Sequence, residues 1–134
     1  MKTDKKVLAS FLAAAVWADG EYDEFEKEFV ADLAGELEIK DFDDVINKEI
    51  AATEKMDEDA LADYLEAAAK NVAKGEGEGI LSLCLQLMCA DAFLATDEVE
   101  NFFAFAEILG IDEEAASTIL DEYVDEEEDL IIED

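Results

Sequence analysis

The sequence predicts an all-α fold, a single-domain bundle of about seven helices built on two pseudo-repeated helical hairpins. Three observations carry that prediction. The chain has no proline and only six glycines in 134 residues, so little interrupts a helix. Apolar residues recur at spacings of three and four, and no strand-like alternation bounded by turn residues competes with them. One pattern of apolar helix, acidic corner and amphipathic helix occurs twice. With 51% apolar residues, a chain of this length has one core and ample side chains to fill it.

Val7 to Ala18 is uncharged, Ala-rich and apolar nearly all round, as a helix enclosed by others must be. Lys2, Lys5 and Lys6 ahead of it give some likeness to a signal peptide, but Asp4 interrupts the basic segment. A second uncharged run of the same length, Gly79 to Ala90, lies inside the chain and also ends in Ala-Asp. Neither reaches the ~18 residues that span a bilayer, so both read as central helices of a cytoplasmic bundle. The first run stops at Asp19-Gly20, and the second helix opens at Asp23 with Glu26 three residues on, as in a capping box. Its apolar stripe is Phe25, Phe29, Leu33 and Leu37. Phe42, Val45, Ile46 and Ile50 form a third stripe behind Asp41 as cap, and Leu61, Tyr64, Leu65, Ala68 and Val72 form a fourth that ends at Gly75. Ile80 to Ala90 is the fifth and most buried helix. Val99, Phe102, Phe103, Ala106 and Leu109 make the sixth, capped by Asp97 and closed by Gly110, and Ala116, Ile119, Leu120 and Tyr123 make the seventh. The Gly-rich stretch from Lys74 to Gly79 lacks the Gly-Lys-Ser/Thr ending of a phosphate loop and reads as a flexible joint. The acidic tail, 121–134, reads as frayed, with Leu130, Ile131 and Ile132 available to dock on a neighbour.

Composition excludes whole classes of chemistry. Thirty-nine acidic residues against nine lysines give a formal charge of −30, which repels nucleic acids and anionic membranes and attracts cations and basic partners. Without histidine there is no imidazole base, Ser-His or Cys-His nucleophile or standard catalytic zinc set, and without arginine there is no guanidinium clamp. The expectation is a non-enzymatic protein. Cys84 and Cys89, five apart in an apolar run, match no Cys-x-x-Cys pair and read as buried thiols. Trp17, Phe102 and Phe103 read as core, whereas Phe105 lies off the sixth stripe and is the candidate exposed anchor for a partner.

The repeat sets Val16-Trp17-Ala18-Asp19-Gly20 with Asp23-Glu24-Phe25-Glu26 beside Met88-Cys89-Ala90-Asp91-Ala92 with Asp97-Glu98-Val99-Glu100. Each copy closes alike, Leu37-Glu38-Ile39 matching Leu109-Gly110-Ile111, and the second loop reads as the longer by two residues. At these positions the chain resembles the tellurite-resistance TerB family, which includes the N-terminal domains of some membrane-anchored DnaJ co-chaperones. The resemblance covers roughly residues 7–112 and rests on an apolar helix ending in Ala-Asp-Gly, a short loop and an acid opening the next helix, all repeated. Asp19, Gly20, Asp23 and Glu26 match the first motif, and Asp91, Asp97 and Glu100 match the second, where Ala92 replaces the glycine. The family implies an all-helical stress-response domain, an acidic cluster proposed to bind metal ions, and protein partners near the membrane.

The candidate metal ligands are therefore Asp19, Asp23 and Glu26 facing Asp91, Asp97 and Glu100. Carboxylates alone suit hard cations, so the expected ion is Ca²⁺, Mg²⁺ or Mn²⁺. A self-contained EF-hand loop is excluded, because Glu24 stands at its glycine position and Val30 at its bidentate glutamate. The same acids can equally bond turn amides and cap helices. Two functions follow: a TerB-like binding or sensing module acting through protein partners, or a protein whose surface charge is itself the function, through cation buffering, nucleic-acid mimicry or salt adaptation.

Overall fold

In the computed structural model of the chain, every residue of the first helix, α1 (Lys5–Asp19), from Leu8 to Val16 is buried. Only a helix with neighbours on all sides can bury a full circle of side chains, and the small Ala9, Ala13, Ala14 and Ala15 let those neighbours approach closely. The structure describes residues 2–19, 23–90 and 92–132, with the backbone alone for Ala18 and Asp19. Around α1 stand α2 (Glu24–Leu37), α3 (Phe42–Thr53), α4 (Glu58–Ala69), α5 (Gly77–Met88), α6 (Thr96–Ile108) and α7 (Glu113–Glu126). The fold is all-α, as the periodicity predicts. α1 packs most extensively on α3 and α5 and also touches α4 and α6.

The second half repeats the first at a constant offset, and the repeat is closer than the sequence reading allowed. Buried Leu8, Leu12 and Val16 of α1 return as Ile80, Cys84 and Met88 of α5, and buried Glu26, Val30 and Leu33 of α2 return as Glu98, Phe102 and Phe105 of α6 (98 − 26 = 72). The C-terminal ends of α2 and α6 correspond as well. Glu38 (φ 57°) and Gly110 (φ 77°) both turn the chain left-handed, and the next residue's N–H reaches back to Ala34 at 3.0 Å or Ala106 at 2.8 Å. Each half lays its second helix against the other half's central helix: α2 packs on α5 and α6 on α1.

Several local expectations are corrected. Asp41 makes no side-chain cap bond to α3; both its carboxylate oxygens take the Lys5 ammonium at 2.8 Å, and this bond holds the Asp41 carboxyl below the usual carboxylate range. The Gly-rich joint is tied down. Glu76 accepts the Lys2 and Thr3 amides at 2.8 Å each and the Thr3 hydroxyl, while the Ala73 N–H donates to Thr3 Oγ1 at 3.0 Å. The Thr3 hydroxyl, and then the Lys2 amide, hold the Glu76 carboxyl low, and α5 starts directly after it at Gly77. The tail is helical to Glu126 rather than frayed from Asp121, and it then pairs within the chain. Phe93–Leu94 (β1) and Ile131–Ile132 (β2) form a two-residue parallel ladder, with the Ile131 N–H bonded to the Ala92 carbonyl at 2.9 Å. None of the described helices is long and apolar enough to cross a membrane.

Candidate functional site at the acidic corners

The first corner delivers the chain into a complete capping box. Asp23, extended at φ −85°, accepts the Glu26 N–H at 2.9 Å, and Glu26 Oε1 accepts the Asp23 N–H at 3.1 Å. Glu26 is only 2% exposed, so this carboxylate belongs to the interior. At the second corner the residue in the same role is not Asp97. Ala95 occupies the N-cap, and Glu98 Oε1 accepts its N–H at 2.9 Å, with Glu98 likewise 2% exposed. The alanine methyl accepts nothing, so half the box is missing.

This moves the correspondence by two residues. Asp23 and Glu26 match Ala95 and Glu98, and Asp97 stands where the first copy has Phe25; the second connection is still the longer, because α5 ends at Met88 whereas α1 runs to Asp19. Acids are so frequent at helix starts in this chain that Asp97 and Glu100 mimic the motif in sequence, whereas burial picks out Glu98. Asp97 and Glu100 are exposed on the first turns of α6, where a negative side chain is favoured by the helix dipole.

The swapped packing sets the ends of α1 and α5 and the starts of α2 and α6 at one end of the bundle. Trp17 at the end of α1 shares a groove of about 640 Å³ with Asp97, Glu100 and Phe105 of α6 and Leu61 of α4. Cys89 and Ala90, just past the end of α5, share a groove of about 1060 Å³ with Phe25 of α2 and Tyr123 of α7. Of the six candidate ligands, Asp23 and Glu26 serve the α2 cap, and Asp97 and Glu100 line the α1–α6 groove. The Asp19 carboxylate, Gly20 and Asp91 lie outside the described residues. Among the described residues no group of three or more acids or thiols is placed to hold a metal ion.

Phe105 is not an exposed anchor. It is 4% exposed, because α6 packs against α1 on one side and α4 on another, so its buried surface is wider than one stripe. Among the described residues the most exposed aromatic is Phe25, at 58%, followed by Phe93 at 38%. Trp17 is anchored inward, its Nε1–H donating to Thr53 Oγ1 at 2.8 Å while the Thr53 hydroxyl donates to the Glu49 carbonyl at 2.8 Å. Phe102 and Phe103 meet edge to face at 5.3 Å. Burial pushes the Cys84 thiol up to about 12, which leaves it protonated and inert at neutral pH. Burial, and then the neighbouring Cys89 and Glu127, also raises the Tyr123 hydroxyl.

Ala92 explains why a glycine belongs in this corner. Its φ of 63° is left-handed, and Glu38 shares that strain at 57°. Relief of a left-handed β-carbon is worth about 1–2 kcal/mol, against about 0.4–1 kcal/mol for the freedom glycine adds to the unfolded chain. Ala92→Gly and Glu38→Gly should therefore each stabilise the protein by about 0.5–1 kcal/mol in urea unfolding, and Gly110→Ala should cost a similar amount. Sequence reasoning missed Glu98 and the exposure of Phe25. Holding the offset set by Asp19 and Asp91 constant would have found Glu98.

No protein-family model, no curated protein and no solved structure matches this chain. The likeness to the TerB family accordingly rests on the residues named above.

Proposed function

We propose that this chain is a non-enzymatic, cytoplasmic, TerB-like binding module of stress response, which acts through protein partners and takes up a divalent cation at its paired acidic corners. The observation that carries the reading is the swapped packing. The end of α1 lies beside the start of α6, and the end of α5 beside the start of α2, so the segments flanking Asp19 and Asp91 share one end of the bundle. Two acid-bearing corners brought together in a chain of charge −30 repel each other, and a hard cation bound only to the folded state relieves that repulsion. Asp23 and Glu26 already serve the α2 cap, so in this reading Asp19 and Asp91 are the leading ligands and Asp97 and Glu100 the supporting ones.

Calorimetric titration with Ca²⁺, Mg²⁺ and Mn²⁺ tests the reading, together with melting temperatures. A divalent ion at 100 times its dissociation constant should stabilise the fold by about 2.7 kcal/mol, an effect that a hundredfold higher sodium concentration does not reproduce. Asp19→Asn and Asp91→Asn should abolish it, while Glu66→Gln and Glu122→Gln leave it intact. No heat of binding, with the Asn variants less stable than wild type in the absence of metal, would make the corners structural caps alone.

A further inference from the structure

The two grooves at the corner end are copies of one another. Their linings correspond at the repeat offset: Ala14 with Gln86, Trp17 with Cys89, and Glu100 with Glu28. They differ in what covers them. Over α1 and α6 lies α4, which packs on both helices and buries Leu65 between them and the rest of the core. Its Tyr64 takes a hydrogen bond from Ser10 of α1 at 3.4 Å and donates to Glu49 of α3 at 2.5 Å; burial, and then the Glu49 carboxylate, raise its hydroxyl. Over α5 and α2, among the described residues, no third helix packs closely on both; α7 rests on α5 and forms the wall opposite α2. Ser82, the counterpart of Ser10, instead takes a hydrogen bond from Gln86 at 3.3 Å on its own helix and lines the larger groove.

We propose that the groove between α2, α5 and α7 is a docking site for a basic amphipathic helix of a partner protein, seated as α4 is seated in the twin groove. This deepens the proposed function and rests on its protein-binding part. Shape specifies a helix, since the chain's own solution to the same groove is one. From Ala115 to Glu127 the α7 wall runs for about 18 Å, or roughly three helical turns. Phe25, Phe29, Ile119 and Tyr123 supply apolar contact, with Phe25 58% exposed at the groove mouth. Charge specifies the sign. Six carboxylates line the groove, among them Glu28 and Asp32 on α2 and Glu122 and Glu126 on α7, and no lysine does. A helix with one apolar face and lysine or arginine flanking it satisfies both walls, and the field of the whole chain steers it in.

The probe is a synthetic peptide of about 14 residues, Leu on one helical face and Lys on the other, titrated into the ¹⁵N-labelled protein. The control has the same composition, scrambled so that no apolar face forms. We expect resonances of α2, α5 and α7 along the groove to shift with the patterned peptide and not with the control. Phe25→Ser, and the double change Glu122→Lys with Glu126→Lys, should each weaken binding about tenfold or more. Asp59→Lys with Glu66→Lys, an equal charge change on the outer face of α4, should change it less than about twofold. Phe25 and these acids are exposed, so their replacement leaves the core intact. Equal binding of the scrambled peptide, or equal weakening by the two double variants, would reduce the effect to attraction by the acidic coat and overturn the proposal. Shifts confined to another face would overturn the groove while leaving the protein-binding reading in place. No shift with either peptide overturns the groove as well, and leaves the cation titration to decide the reading.

Discussion

Phe11→Ala should destabilise the protein by about 3–5 kcal/mol, the cost of truncating a fully buried aromatic whose cavity the surroundings cannot close. Phe11 lies mid-way along α1, with buried residues before and after it on every face, and α3, α4, α5 and α6 all lean on that helix. A helix trapped among four others cannot shift to fill a void without dislodging one of them. A domain of this kind is stable by only about 5–15 kcal/mol, so the loss should be visible as a large fall in the urea midpoint with an unchanged slope. Phe25→Ala is the internal comparison: the same deletion on a 58% exposed side chain should cost less than about 0.5 kcal/mol. Equal losses at the two positions would mean that α1 is not the core of the fold.

The same contrast shows what the sequence makes legible. An uncharged, Ala-rich run buried all round, Leu8 to Val16, reads as an enclosed helix, and the second uncharged run, Ile80 to Met88, forecasts the two-fold architecture even though its Ser82 and Gln86 line the groove. Cap register is harder to read. Where acids are so frequent, nearly any offset aligns one acid with another, so Asp97 and Glu100 pass for Asp23 and Glu26 until burial reveals Glu98. Phe105 is misread for a related reason: one stripe describes a helix packed on one side, and α6 meets both α1 and α4. Thr3 clasping Glu76, and Ile131 pairing beside Phe93, join segments far apart in the chain, and no local periodicity encodes them. The open groove is legible only as a difference between two copies, since among the described residues no helix of the second half takes the place that α4 takes in the first.

Raising NaCl from about 10 mM to 1 M should increase the melting temperature by about 10 °C or more. The Debye length falls from about 30 Å to about 3 Å over that range. At the low end every charge feels nearly every other across the domain, and at the high end only adjacent ones. Nine lysines cannot neutralise thirty-nine acids, and folding gathers the −30 excess into a smaller volume than the unfolded chain occupies. The Lys5–Asp41 pair works in the opposite direction, because screening weakens it; both partners are about half exposed, so its contribution is small beside the collective repulsion. Hydrophobic burial is little changed by NaCl relative to sulfate, which separates screening from salting-out: NaCl and KCl at equal ionic strength should act alike. A saturable rise at micromolar Ca²⁺, Mg²⁺ or Mn²⁺, superposed on the gradual monovalent curve, is the signature of a site within the coat. If the NaCl curve is flat, compensating contacts or bound cations already neutralise the surface, and charge repulsion does not limit the stability of this fold.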